Sequence, residues 1–374
     1  MTSSISHVEL PHSISLLEQM ASKSIEKGPF TYVHSGAGNE STLRANEAAF
    51  EDWYIVPQYL NDVSFRDTSA TLLGTTFPSS FALAPIGVQS IFHPEGELAS
   101  ARAAAACGVP FIASTLSSYP LEDIAANLGN TPRWYQLYWS NDEEMAISMV
   151  RRAEKAGYSA IVITIDTSLL GNRERDLNNR YSPLKLGKGA ANYLHDPVFQ
   201  GRFASPPSAD DPEVIKNIVD IIFNPSLTWE NLKTIKEHTK LPILLKGILH
   251  EEDARKALHH EVDGIIVSNH GGRQLDGCIS SLEALPSIAE IVQGKIPVLL
   301  DSGIRRGSDV VKAKALGADV VLLGRPFIYG LAVAGEQGVE HVLRNMINDI
   351  DVTLALSGFA SMKEVNSSLI RRKK

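Results

Sequence analysis

The chain has 374 residues, of which 44% are hydrophobic and 21% are charged, a composition typical of a globular protein with a sizeable core. Its 35 basic and 43 acidic residues give a formal net charge of −8, which offers no reason to expect nucleic acid as a partner. Two cysteines, Cys107 and Cys278, are too few for a disulfide framework and lie outside any metal-ligand spacing, so we expect a reducing, intracellular location and no bound metal.

The two ends of the chain carry no recognisable targeting signal. The N-terminus lacks a basic region followed by an apolar core, and no apolar stretch is long enough to span a bilayer. The C-terminal IRRKK differs from a peroxisomal signal and is interpreted as a short solvated tail. We therefore expect a cytoplasmic protein with no membrane partner.

Two helix-like segments, SISLLEQMASKS and STLRANEAAFEDW, flank the loop YVHSGAGNE and predict a helical extension over residues 1–79. From there the chain alternates segments of helical spacing with eight apolar runs: SFALAPIG, PFIAST, RWYQLYW, AIVITID, PILLKG, GIIVSNHG, PVLLDSG and VVLLGR. Such runs are typical of buried parallel strands covered by helices. Eight of them predict an α/β fold, a (β/α)8 TIM barrel, in a single domain over residues 1–374. A doubly wound open sheet is the alternative, because the number of strands does not prove closure.

Residues 167–225 form a long insertion after the fourth predicted strand. Its ASPPSADDP stretch is rich in Pro, Ser and Asp, as mobile surface loops are. Because long insertions in compact domains usually serve as lids or binding loops, we expect this one to be lid-like.

Polar residues follow the apolar runs where each run ends. In a barrel all C-terminal strand ends lie on one face, where barrel enzymes keep their active sites, so these side chains are expected to surround one cavity. They are Ser114, Gln136, Tyr138, Thr164, Asp166, Lys246, Ser268, His270, Asp301, Gly324 and Arg325. Each one alone is more simply explained as a turn former or a helix N-cap. Their recurrence along the series of strand ends favours a functional site.

The last two strand ends suggest a phosphate site. DSGIRRGSDV and GRPF each place glycine and arginine directly before a helix. Backbone N–H groups at helix starts bind anions, and arginine adds paired contacts to phosphate oxygens. Barrels often hold a phosphate between the loops after strands seven and eight.

The middle strand ends suggest a redox or acid–base centre. His270 is a candidate base, and Asp166 is a candidate to orient it and stabilise its charged form. Lys246 is predicted to be buried and therefore needs an anionic or electron-rich neighbour. Arg273 and Arg173 are candidates for binding a carboxylate, although Arg173 taken alone is more simply explained by a surface salt bridge.

The motif SNHGGRQLDG, with LPILLKG before it and DSGIRRG and GRP after it, resembles the FMN-dependent L-2-hydroxy-acid oxidases and dehydrogenases. The resemblance covers nearly the whole chain, from YVHSGAG to the C-terminal helix. ANYLHDPVF, SLTWENL and GILHEEDARKA are most similar to the branch of lactate oxidase and lactate 2-monooxygenase. The resemblance implies FMN as cofactor, a small L-2-hydroxy acid such as L-lactate as substrate, and O2 as electron acceptor.

The resemblance also implies a role for each matching residue. Tyr32, Arg173 and Arg273 would bind the carboxylate of the substrate, and Tyr138 would bind its hydroxyl group. His270, paired with Asp166, would remove a proton from the substrate. His270 would remove either the carbon-bound proton, which leaves a carbanion, or the hydroxyl proton as hydride moves to the flavin, and both routes need the same base. Lys246 would face the N1/O2 edge of FMN. The flavin ring would contact Gly87, Ser114, Gln136, Thr164 and Ser268. The ribityl chain and phosphate would contact Asp301, Arg305, Gly324 and Arg325.

Several outcomes are compatible with these residues. The enzyme is expected either to release H2O2 as an oxidase or to convert its product to a shortened acid as a 2-monooxygenase. Alternatives are a dehydrogenase that uses a quinone or protein acceptor, an oxidase of longer or aromatic 2-hydroxy acids, and a non-redox barrel that binds a phosphorylated metabolite. Gly87 stands where many oxidases have alanine, which bears on oxygen access or product retention; otherwise it only permits a close backbone approach. The family's usual assembly implies a homotetramer or larger homo-oligomer.

Overall fold

The fold is a closed barrel of eight parallel strands. A computed structural model describes residues 9–373, so residues 1–8 of the predicted extension and residue 374 lie outside the described residues. The barrel strands are β1 (Phe81–Leu83), β2 (Phe111–Ser114), β3 (Arg133–Tyr138), β4 (Ile161–Thr164), β5 (Ile243–Ile248), β6 (Gly264–Val267), β7 (Val298–Leu300) and β8 (Val320–Leu323). Each strand pairs with its neighbours in the chain, and β8 pairs with β1 to close the ring. The predicted (β/α)8 barrel is confirmed, and the open sheet is excluded.

Helices surround the barrel and fill the two irregular regions. The extension contains α1 (Ile14–Ser24), α2 (Lys27–His34) and α3 (Ser41–Glu51). The first three strands are followed by α4 (Gly96–Cys107), α5 (Leu121–Leu128) and α6 (Glu143–Lys155). Between β4 and β5 lie α7 (Glu174–Asn179), α8 (Ala191–Leu194), α9 (Pro197–Gln200), α10 (Pro212–Ile222) and α11 (Leu232–Lys236). The last strands are followed by α12 (Glu251–His259), α13 (Ser281–Val292), α14 (Gly307–Ala315) and α15 (Arg325–Leu356).

Helix α6 illustrates why these segments form helices and pack against the barrel. The Asp142 carboxylate accepts a hydrogen bond from the Met145 backbone N–H at 3.1 Å and so caps the first turn. Met145, Met149 and Ala153 recur every four residues and are buried, which places one apolar stripe against the strands.

The inside of the barrel is filled by two layers of side chains, because residues two apart on a strand point the same way. The lower layer is apolar and at most 2% exposed; it consists of Ala82, Ile112, Trp134, Val162, Leu244, Ile266, Leu299 and Leu322. Two residues further along the chain from each of these stand Ala84, Ser114, Gln136, Thr164, Lys246, Ser268, Asp301 and Gly324. The change from apolar to mostly polar residues makes the C-terminal end of the barrel the floor of a polar site.

The opposite end of the barrel is closed by a hairpin of two short antiparallel strands, Ala70–Leu72 and Thr75–Phe77. The Phe77 ring packs edge-on against Trp134 of the lower layer, with ring centroids 6.0 Å apart. Because this end is sealed by apolar packing, access to the interior is from the C-terminal end.

The C-terminal tail differs from the sequence-based expectation. The strand Ile370–Arg372 pairs with Trp53–Ile55, so this part of the presumed solvated tail is held in a two-stranded antiparallel sheet. The insertion over residues 167–225 contains the short helices α7 to α10 in addition to loop. Within residues 9–373, no helix combines the length and the apolar character needed to cross a membrane.

Candidate active site

A cavity of about 1130 Å³, partly open to solvent, lies at the C-terminal end of the barrel. Three parts of the chain form its wall. Strand ends contribute Ser114, Tyr138, Lys246 and Asp301; the extension contributes Tyr32 and Val33; the insertion contributes Leu170, Arg173, Ile222 and Phe223. Gly87, His270, Arg273, Arg305, Gly324 and Arg325 complete the predicted residues that line it.

His270 and Asp166 form a hydrogen-bonded pair at one side of the cavity. His270 Nδ1 lies 2.7 Å from Asp166 Oδ1, and Tyr138 Oη lies 3.4 Å from His270 Nε2. Burial lowers the pKa of His270 despite the opposing charge of Asp166, so the imidazole is neutral at pH 7. Burial alone would raise the pKa of the Asp166 carboxyl, but the Lys246 ammonium and the hydrogen bonds from His270 and Thr167 outweigh it and keep this pKa below its usual range. An ionised carboxylate can only accept, so Nδ1 carries the proton and Nε2 keeps a free lone pair beside Tyr138.

Lys246 is a buried cation held between two carboxylates. Its Nζ donates to Ser268 Oγ at 2.8 Å and lies 3.2 Å from Asp301 Oδ2 and 3.8 Å from Asp166 Oδ2. Burial opposes the charge, but the two carboxylates outweigh it and raise the pKa of Lys246 above its usual value. The side chain therefore stays protonated and brings a fixed positive charge to the cavity floor.

The loop that carries His270 has an unusual backbone. His270, Gly271 and Gly272 have φ angles of 59°, 66° and 72°, so three successive residues lie in the left-handed region. Glycine accepts this region freely, whereas for histidine it costs roughly 1–2 kcal/mol. A Cβ on Gly272 would also lie 2.6 Å from the Leu43 backbone nitrogen. The two glycines thus allow the sharp turn that directs the histidine into the cavity.

Two arginines face the same cavity without an acidic hydrogen-bond partner among the described residues. The hydrogen bonds of Arg273 go to the carbonyls of Tyr32 and Ser35, and those of Arg173 go to the Arg273 carbonyl and Gln274 Oε1. The Arg273 guanidinium also stacks over the Tyr32 ring, 4.8 Å from its centroid. Burial, together with the charge of Arg173, lowers the pKa of Arg273 to about 9. A buried and a half-buried guanidinium side by side form a site for an anion.

The far end of the cavity is built around the start of α15. Gly324 precedes this helix without a side-chain cap, and a Cβ built there would meet only Ile86 Cδ1 at 3.8 Å, so a side chain would occupy the cavity itself. Arg325 is buried and donates to the carbonyls of Val33, Ser35 and Gly271. Open space above an uncapped helix start, with arginine beside it, fits a phosphate group.

Four predicted residues do not line the cavity, and Asp166, which is hydrogen-bonded to His270, is one of them. Gln136 and Thr164 lie beneath Ser114, because Ser114 Oγ donates to Gln136 Oε1 at 3.1 Å and Gln136 Nε2 donates to Thr164 Oγ1 at 3.0 Å. Ser268 similarly supports Lys246 from below. Arg305 lines the cavity but also pairs with Glu47 at 2.6 Å.

Several residues that hold the loop carrying His270 in place were not predicted from the sequence. Asn46 on α3 and Asn269 exchange two side-chain hydrogen bonds of 2.8 and 2.7 Å, and both are buried. Ser302 Oγ accepts from the Gly271 N–H at 3.0 Å. Asn269 stands within the SNHGG motif and could have been suspected, whereas Asn46 lies 223 positions away on a helix that carries no local signal.

The barrel cavity combines a histidine–carboxylate base, a buried lysine and a pair of arginines with a helix N-terminus that has room for a phosphate. This combination defines a flavin oxidoreductase that acts on a carboxylic acid. The sequence model of the FMN-dependent dehydrogenase family matches residues 21–372, and the chain belongs to that family. It is 53% identical over 347 residues to an L-lactate oxidase of Lysinibacillus sphaericus, covering 93% of this chain and 89% of the relative. It is 40% identical over 366 residues to an L-lactate oxidase of Nostoc sp., covering 97% and 99%.

A solved structure of a mandelate oxidase variant with (S)-mandelic acid has the same fold. It superposes with a TM-score of 0.85 at 39% identity and covers 97% of this chain and 99% of that one. The protein is therefore an FMN-dependent 2-hydroxy-acid oxidoreductase. The lysine on the cavity floor and the uncapped start of α15 are a donor set that suits a flavin with one phosphate.

Proposed function

We propose that the enzyme oxidises L-lactate to pyruvate with O2 and releases H2O2. The observation that carries this proposal is the pair of guanidinium groups, Arg173 and Arg273, in the same cavity as the neutral base His270. Such a cavity suits a substrate whose carboxylate is attached directly to the carbon that is oxidised. The names of the two bacterial relatives support lactate as that substrate.

Each proposed substrate contact follows from the chemistry of the side chain. Arg173 and Arg273 bind the carboxylate, and the Tyr32 ring supports the second guanidinium. Tyr138 bonds to the substrate hydroxyl, and His270 Nε2 accepts a proton from the substrate. The resulting imidazolium is stabilised by Asp166, whose hydrogen bond also holds the ring in the required tautomer.

We propose that FMN lies along the cavity floor with its phosphate at the start of α15. When bound, FMN takes two electrons from the substrate and passes them to O2. Lys246 would face the N1/O2 edge of the bound flavin, where its ammonium would stabilise negative charge. The remaining residues divide by position. Gly87 and Ser114 line the cavity where the ring would lie, and Asp301, Arg305, Gly324 and Arg325 line it towards the ribityl phosphate. Gln136, Thr164 and Ser268 would support the ring through the Ser114 and Lys246 side chains to which they are hydrogen-bonded.

The oxidase outcome is supported by the names of the two bacterial relatives, and the surroundings of Gly87 give no support to the monooxygenase outcome. A Cβ at this position would lie 2.5 Å from the Leu116 carbonyl oxygen. The glycine is therefore explained by close approach of two loops, without a role in retaining the product.

Oxygen consumption with L-lactate, a peroxide assay and product identification test the proposal. Pyruvate with H2O2 is expected; acetate with CO2 would instead identify a monooxygenase, and turnover only with artificial acceptors a dehydrogenase. His270→Ala is expected to keep FMN but to lose nearly all flavin reduction by substrate. His259→Ala, on an exposed face of α12, is the matched control. Near-normal flavin reduction in the His270 variant would show that the assigned base is wrong, and faster turnover of L-mandelate than of L-lactate would overturn the substrate.

We further propose a single domain that works in the cytoplasm as a homotetramer or larger assembly, with residues 167–225 as a lid. The lid is supported by Leu170, Ile222 and Phe223, which reach the cavity from the insertion. The assembly is supported by exposed apolar side chains at Leu60 and Phe65. Light scattering of the purified enzyme tests the assembly, and a monomer would contradict it.

A further inference from the structure

Glu97 on α4 is a buried carboxyl group outside the set of residues assigned above. Its side chain is 0% exposed, although an isolated carboxylate is costly to bury. Oε1 accepts hydrogen bonds from the backbone N–H groups of Gln89 and Ser118, each at 3.0 Å. Within residues 9–373, Oε2 has no hydrogen-bond partner. One oxygen atom thus joins two separate backbone segments.

The two segments are the loops that follow β1 and β2. Both loops line the barrel cavity, the first through Gly87 and Val88 and the second through Leu116. They also contact each other, because the Val88 N–H donates to the Leu116 carbonyl at 2.8 Å. The spacing between these loops therefore decides the shape of one cavity wall.

The same face of α4 makes a second connection to the first loop. Ser100 lies one helical turn after Glu97, and its hydroxyl donates to Gln89 Oε1 at 2.7 Å. Gln89 Nε2 in turn donates to the Ile86 carbonyl at 2.8 Å. Helix α4 thus holds the loop after β1 at two points. Glu97 binds the Gln89 backbone N–H, and Ser100 binds the Gln89 side chain, which in turn binds the Ile86 carbonyl beside the cavity.

We propose that Glu97 is a positioning residue that fixes the β1 and β2 loops against each other and so shapes the wall that receives the FMN ring. This inference rests on the proposed placement of FMN in the barrel cavity. A neutral carboxylic acid suffices for the task, because both donors use the same carbonyl-type oxygen. Burial raises the pKa of Glu97 to about 7, which is consistent with a substantial neutral population.

Three variants of Glu97 separate this role from a general contribution to stability. Glu97→Ala leaves two buried N–H groups unpaired, Glu97→Gln keeps an acceptor at the same reach, and Glu97→Asp shortens the side chain by one methylene. Glu95→Gln is the matched control, because its side chain is 54% exposed and lies two residues away. Dilution of each holoenzyme, followed by the fluorescence of released FMN, gives Kd, and visible circular dichroism reports the surroundings of the bound ring.

Glu97→Ala is expected to weaken FMN binding by at least about tenfold and to change the visible spectrum, because the two loops lose their shared acceptor. Glu97→Gln and the control are expected to stay within about threefold of the wild type, and Glu97→Asp to lie between. A wild-type Kd and spectrum in Glu97→Ala would overturn the inference, even if its melting temperature fell. Should that variant not fold, equal Kd values for Glu97→Asp and Glu97→Gln would overturn it in the same way.

Arg325→Ala distinguishes a failure of this inference from a failure of the FMN placement. Weak FMN binding by Arg325→Ala together with normal binding by Glu97→Ala would overturn the proposed role of Glu97 and leave the proposed FMN placement intact. Normal binding by both variants would show that FMN lies elsewhere and would overturn both proposals.

Discussion

Replacement of Glu97 by glutamine is expected to change how the stability of the protein depends on pH. Burial raises the pKa of the Glu97 carboxyl from its usual 4.5 to about 7 in the folded protein. A raised pKa means that the folded protein holds this proton more tightly than the unfolded chain does. The stabilisation is therefore fully present below about pH 4.5 and is lost as pH rises through about 7.

The size of the effect follows from the difference between the two pKa values. They differ by about 2.5 pH units, and each unit corresponds to about 1.4 kcal/mol, so ionisation of Glu97 costs the folded protein about 3 kcal/mol at alkaline pH. No reduction for solvent screening applies, because the side chain is 0% exposed. Glu97→Gln keeps the acceptor oxygen but has no proton to lose.

The assay is urea unfolding of the two holoenzymes at equal FMN concentration, from about pH 5 to about pH 8. The difference in unfolding free energy between variant and wild type cancels the other titrating groups and is expected to move by about 2–3 kcal/mol in favour of the variant across this range, since a part of the effect lies below pH 5. Infrared difference spectra at the acid end should show the carbonyl stretch of a protonated Glu97. Parallel stability curves with no such band would refute the reasoning.

Three further outcomes concern the cavity. Burial lowers the pKa of His270, so kcat/KM is expected to fall only at pH values below the ordinary histidine range, and a loss centred above that range would contradict this base. Arg273→Lys removes the planar guanidinium and is expected to raise the KM for substrate by about tenfold in steady-state assays; an unchanged KM would argue against carboxylate binding there. Lys246→Met leaves Asp166 and Asp301 without their shared cation and is expected to lower the free energy of unfolding by about 3–5 kcal/mol, measured in urea. A variant as stable as the wild type would show that the cation is not needed to balance these carboxylates.

The barrel and its polar end were predictable because parallel strands bury both faces. Runs such as "AIVITID" and "GIIVSNHG" stand out as continuous apolar segments, and the polar residue that ends each run points to the C-terminal face. Helical structure inside the insertion was harder to predict, because α8 and α9 have only four residues each and carry little periodic pattern. The burial of Glu97 was hidden for a different reason. Its partners are backbone N–H groups, which leave no mark in a sequence.

The N-terminal extension shows most clearly what strand-by-strand reasoning omits. The carbonyl of Ser35 accepts hydrogen bonds from both Arg273 and Arg325, so one backbone oxygen of the extension joins the proposed carboxylate end of the cavity to the proposed phosphate end. The reciprocal pair of Asn46 and Asn269 then ties the same extension to the loop that carries the base. Because a guanidinium withdrawn from water needs acceptors for its donors, both arginines depend on carbonyls of this segment for their positions. The extension is therefore a structural part of the site, and the cavity is complete only where residues before the first barrel strand fold over its open end.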